Sequence, residues 1–166
     1  MDMRPSKNQL AAACLGLLLL SVARAADPPP LKEGLWEITG QSIVNPGSKR
    51  TEFTYQLCRS HAYDSAMDAL ARNAQGCTTS FDDLGDGRFA SASSCNIDGT
   101  LIVSKGTYTY ESMTSTRSES FATYSPAYRG KTDERVIQDQ HYVGACLPGM
   151  KPGDRITGGT VVRYGP

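Results

Sequence analysis

The chain has 166 residues, with 17 basic and 17 acidic side chains and 39% hydrophobic residues. Its one long apolar run, Leu10 to Ala23, lies near the N-terminus. This balance excludes a nucleic-acid binder driven by bulk positive charge, a disordered polyelectrolyte and a multi-span membrane protein.

In chain order, Arg4 and Lys7 precede the apolar run of 14 residues, and Ala23-Arg24-Ala25 places small residues at alternate positions. Charge, length and cleavage site together read as a secretory signal peptide over residues 1–25, cut after Ala25. The run is shorter than the roughly 20 residues of a spanning helix. Its leucine-rich part follows Cys14 rather than preceding it, which argues against a lipoprotein. The expected mature chain has 141 residues with 14 basic against 16 acidic side chains, a net charge of −2. It should be periplasmic or secreted, with no membrane span and no nucleic-acid partner. Four cysteines remain: Cys58, Cys77, Cys95 and Cys146. An even count in an exported chain predicts two disulfides, and the absence of a C-x-x-C pair gives no sign of zinc or redox chemistry.

Residues 26–31 form a proline-rich lead-in, expected to be extended and solvated. A single disulfide-stabilised domain follows over 32–166. Trp36 and Ile38 alternate with Glu37 and Thr39, the period of a half-buried strand. Asn45-Pro46-Gly47-Ser48 is a turn, and Phe53, Tyr55 and Leu57 alternate with Glu52, Thr54 and Gln56 in the returning strand of a hairpin. From His61 to Arg72 the spacing of Tyr63, Ala66, Met67 and Leu70 predicts the one helix, capped by Ser60. A helix of about three turns is marginal alone, so it should pack on the sheet. Strands are expected at Cys77 to Phe81 and Arg88 to Cys95. Their connector, Asp82 to Gly87, has Leu84 where a calcium loop needs a ligand, so it reads as a plain turn.

Between Thr100 and Met113 the apolar parity changes from odd (Leu101, Val103) to even (Tyr108, Tyr110). A turn at Lys105-Gly106 would bring all four to one face, so a hairpin is expected there. The Ser/Thr-rich stretch to Ser120 reads as a strand because of Met113 and Phe121, with a loop at Ser125-Pro126 and Arg129-Gly130 and a further strand from Thr132 to Val143. Thr157-Gly158-Gly159-Thr160 should pair Ile156 with Val161 in a final hairpin. The fold class is mainly β: an antiparallel curved sheet or small barrel of seven to nine strands with one short helix. Three cysteine connectivities are possible. Counting strands as alternately up and down favours Cys58 with Cys77 and Cys95 with Cys146.

Gly34-Leu35-Trp36-Glu37, Cys58 before a short helix, Cys77, Cys95, Lys105-Gly106-Thr107-Tyr108, and Tyr142-Val143-Gly144-Ala145-Cys146 with Lys151-Pro152-Gly153-Asp154 stand in an order and spacing that resemble the DUF3617 family. The resemblance runs from Leu31 to Asp154. It implies a small exported β-rich domain of a Gram-negative periplasm with paired cysteines, and it carries over no catalytic residue. The chain departs from the family pattern in its Ser and Thr after Tyr110, where Met-rich alternation is common, and in the residues beyond Asp154.

No motif supports nucleophilic or nucleotide chemistry: there is no G-x-S-x-G, no S-x-x-K and no phosphate-cradling glycine loop. His61 and His141 lie in different elements, and the set His61, Asp64 and Asp68 reads as a solvated helix face rather than a metal site. No catalytic residue, metal or cofactor is assigned. The distinctive set is Trp36, Tyr55, Tyr108, Tyr110 and Tyr142, which should gather on one sheet face and there form either core or an aromatic-lined pocket. The leading expectation is a non-enzymatic binding or interaction module for a small apolar or amphipathic ligand or an envelope partner. The alternatives are a hydrolase using carboxylates among Glu37, Glu52, Glu111, Glu119 and Glu134, and an envelope protein that pairs through the edge of its Ser/Thr strand.

Overall fold

The computed structural model describes residues 28–163. The expected signal peptide and its cleavage position lie outside the described residues. The elements are β1 (Gly34–Asn45), β2 (Lys49–Arg59), α1 (His61–Arg72), β3 (Cys77–Gly85), β4 (Arg88–Ile97), β5 (Thr100–Ser112), β6 (Ser115–Tyr128), β7 (Lys131–Gly144), β8 (Asp154–Thr157) and β9 (Thr160–Arg163). All the strands belong to one sheet, in the order β3-β4-β5-β6-β7-β1-β2-β8-β9, with every pairing antiparallel. The sheet does not close, so of the two expected forms it is the open one, with β3 and β9 as its edges.

Consecutive antiparallel strands follow from the alternation and the tight turns. Asn45 Oδ1 accepts the Ser48 backbone N–H at 3.1 Å and closes the β1–β2 turn. Arg129 and Gly130 take positive φ values of 50° and 81°, the conformation that a two-residue hairpin connection requires. The central strand β1 is flanked by β2 and β7, and its residues Trp36 and Ile38 are 0% and 1% exposed. With Leu31 and Leu57 they form the small buried core, against which Phe53, Tyr55, Tyr63, Tyr110 and Tyr142 pack. Gly40 is needed at the middle of β1, because a Cβ there would meet the Ile137 carbonyl and the Phe53 ring. β2 and β3 lie six strand spacings apart, roughly 29 Å in a flat sheet. Tyr55 and Leu57 of β2 nevertheless line the same cavity as Phe81 of β3, so the sheet curls.

Five expectations need correction. β5 is one continuous strand, paired with β4 and β6 through Lys105 and Gly106, so there is no hairpin at that point. Leu101 and Val103 therefore point outward, 46% and 36% exposed, opposite to Tyr108 and Tyr110. Their strand neighbours Ser104 and Gly106 lie on the inner face and hide the even parity, because neither is apolar. Ser125-Pro126 is part of β6 rather than a loop; Pro126 follows the last pair with β5, Leu101 to Ser125, where no ladder donor is required. The Ser/Thr-rich strand is β6, paired on both sides by β5 and β7, so it offers no edge to a partner. The disulfides join Cys58 to Cys146 and Cys77 to Cys95, not Cys58 to Cys77 and Cys95 to Cys146. The cause is the strand order: Cys77 and Cys95 are direct partners across β3 and β4, while β7 returns beside β1 and brings Cys146 to the end of β2. Finally, α1 packs on the sheet only in part: Tyr63 reaches the core and the last turn meets β3, but the helix contains no buried residue.

Candidate functional site

Cross-strand partners share a face of a sheet, so the register places the inner-face residues in rows. One row runs Tyr55, Ile38, Gln140, Thr116 and Tyr110 across β2, β1, β7, β6 and β5. The next runs Phe53, Gly40, Gln138, Ser118, Tyr108 and Phe89. Above these rows α1 borders a half-open cavity of about 690 Å³, lined by Ile38, Tyr55, Leu57, Phe81, Phe89, Tyr108 and Tyr110 from the sheet and by Tyr63 and Met67 from the helix. Pro28 to Pro30 line one side of it; Pro29 and Pro30 are exposed, so this part of the lead-in is solvated and also borders the cavity.

The helix forms where its sequence signals place it. Ser60 Oγ accepts the Tyr63 backbone N–H at 3.2 Å, satisfying one of the unpaired first-turn donors. Asp64 in the first turn and Arg72 in the last complement the helix dipole. Both ends are moored by side chains. At the N-terminal end, the His61 backbone N–H donates to Glu33 Oε1 at 2.8 Å, and Arg59 Nε donates to Asp64 Oδ1 at 3.0 Å. At the C-terminal end, Thr79 Oγ1 donates to the Ala71 carbonyl, and the Arg72 guanidinium lies 4.5 Å from the centre of the Phe81 ring. Between these moorings Met67 and Leu70 remain 42% and 54% exposed.

All five aromatic residues expected on one face are there, but they divide. Tyr55, Tyr108 and Tyr110 line the cavity. Trp36 and Tyr142 do not; they lie a row beyond, as floor and support. The Trp36 indole donates to the Lys32 carbonyl at 2.8 Å, and its ring meets Tyr142 edge-on with centroids 6.2 Å apart. Lys32 Nζ sits 4.1 Å over the Tyr142 ring, closing the other side.

The polar part of the cavity wall centres on Arg59, whose side chain is 15% exposed. Besides its bond to Asp64 it donates from Nη1 to Gln140 Oε1 at 2.9 Å and lies 5.2 Å over Trp36. Burial pushes the Tyr110 phenol up to about 12; Arg59 pulls against that shift, and the charges of Asp68 and Asp64 add to it. Burial and the Asp68 carboxylate raise Tyr108 as well. Both phenols are therefore protonated donors across the physiological range.

Among the described residues no three His, Cys, Asp or Glu side chains gather as a metal site. His61 Nε2 is 2.8 Å from the Leu31 carbonyl, and His141 Nδ1 is 3.2 Å from Ser115 Oγ. Glu134 is tied by Ser42, Tyr124 and Lys131; burial works to raise its pKa, and those three bonds outweigh it and hold the carboxyl low. Sequence reasoning missed Arg59, Tyr63, Phe81 and Phe89 as lining residues. Arg59 directly precedes the helix cap, but no local pattern marks a residue that meets its neighbours only through sheet order.

Fold and cavity define a small disulfide-linked β-domain with a half-open cavity between its helix and its sheet. Residues 31–146 match the family model DUF3617, a protein of unknown function, and the chain belongs to that family. No curated protein matches the sequence. No helix among the described residues is long and apolar enough to cross a membrane.

Proposed function

We propose that the protein is a non-enzymatic binding module that holds a small apolar or amphipathic molecule between α1 and the inner sheet face. The observation that carries this reading is the helix itself. A three-turn amphipathic helix ordinarily gains its stability by burying its apolar stripe. Here no helix residue is buried: Tyr63 packs against the core only partly, and Met67, 42% exposed, faces a space of about 690 Å³. That volume is within the range of small-molecule sites, roughly 300–1,000 Å³. Export to the periplasm, with signal cleavage near Ala25, is part of the same proposal; the two disulfides suit an oxidising compartment. The carboxylate-hydrolase alternative draws no support from Glu134, since a general acid needs its pKa raised and this one is lowered.

The test is titration of the purified mature protein with N-phenyl-1-naphthylamine, an apolar dye whose emission rises on leaving water. Saturable one-to-one binding is expected. Ala71→Trp, which puts a large ring into the cavity from an exposed helix position, should weaken it by about tenfold or more. Non-saturable binding, or binding indifferent to that substitution, refutes the proposal.

A further inference from the structure

The cavity's polar groups specify more than apolarity. Tyr55, Tyr63, Tyr108 and Tyr110 all line it, and among the described residues none of their hydroxyls has a hydrogen-bond partner in the protein. Arg59 also lines it; its Nε and Nη1 are engaged, and its Nη2 has no protein partner. A half-open cavity with a largely aromatic sheet wall thus presents several donors. Tyr108 is 36% exposed and Tyr55, Tyr63 and Tyr110 are half-buried, so these hydroxyls are open to a ligand entering the cavity.

Formal charge at the same wall is balanced. Arg59 and Arg72 line the cavity together with Asp64 and Asp68, and Arg59 is already neutralised by Asp64 at 3.0 Å. A carboxylate ligand would meet Asp64 and Asp68, and an ammonium ligand would meet Arg59 and Arg72. On this basis, and resting on the binding function proposed above, we infer that the ligand is an uncharged apolar molecule carrying a hydrogen-bond-accepting oxygen, an ester or ketone, which the tyrosine hydroxyls and Arg59 Nη2 receive. The two phenols nearest Asp68 stay protonated and so keep their donor role.

The experiment displaces bound N-phenyl-1-naphthylamine from the mature protein with three probes of equal chain length: methyl decanoate, decanoate and decylamine. Methyl decanoate should displace the dye about fivefold or more better than either charged probe. Replacing both phenols (Tyr108→Phe with Tyr110→Phe) should weaken methyl decanoate by about fivefold or more beyond whatever change the same variant shows in dye affinity. The two single substitutions serve the same comparison if the double variant does not fold. Equal or better displacement by decanoate or decylamine, or an ester affinity unaffected by loss of the hydroxyls, overturns the inference while leaving the binding function standing. Absence of dye binding to the unmodified protein overturns both.

Discussion

Tyr110 shows how one side chain ties stability to the chemistry of the site. Its phenol is pushed up to about 12 from 10.0, mainly by burial. Tyr124 is pushed up to about 12 by burial, by its bond to Glu134 and by that residue's charge. Below 10.0 both folded and unfolded chains keep these protons, so the stabilisation is complete. Between 10.0 and about 12 the unfolded chain ionises first, and stability falls as pH rises through the folded values. Urea midpoints measured across this window should decline, and Tyr110→Phe should flatten the decline. Glu134 acts at the other end of the scale. Its lowered pKa contributes stability that is present above 4.5 and is lost as pH falls through the folded value.

At the scale of elements, α1 should open more readily than the centre of the sheet. It buries no residue, whereas β1 supplies Trp36 and Ile38, half of the buried core. Ser60→Ala removes the bond to the Tyr63 N–H and should cost the helix about 1 kcal/mol. Because the helix is moored by side chains rather than packed, hydrogen exchange should quicken across His61–Arg72 while the amides of β1 and β7 keep their protection. Equal acceleration in β1 would show that helix and sheet unfold as one. This element also marks what was legible in the sequence. Its cap, its limits and its period are local, and they were readable, as were the turns at Asn45–Ser48 and Thr157–Thr160. How little of it reaches the sheet was not, since that depends on side chains from seven strands. β5 failed for a related reason: Ser104 and Gly106 carry the inner face without an apolar signature, so the outward Leu101 and Val103 looked like core. Tyr55, Tyr108 and Tyr110 nevertheless share one face as expected, because alternation alone assigns a residue to a face.

For the whole molecule, the disulfides do unequal work. Cys58–Cys146 spans 88 residues and Cys77–Cys95 spans 18. By loop-closure entropy they restrict the unfolded chain by about 4.5 and about 3 kcal/mol respectively. Removing Cys58 and Cys146 together by serine substitution should therefore lower the urea midpoint more than removing Cys77 and Cys95. The reverse order would mean that strain in the native sheet outweighs chain entropy. Strand order also explains why the pairing escaped a count of strand directions: that count fixes which end of the sheet a cysteine occupies, not which strand stands next to it.

The placement of these bonds bears on how the cavity is reached. Cys58 closes the chain just before α1, and Cys77 closes it just after, each joined to a different part of the sheet. The stretch between them is an arch on two covalent abutments. Its span can melt and re-form at the small cost of its own few side-chain moorings, while its footings stay where they are, so the roof can lift without the sheet beneath it having to yield.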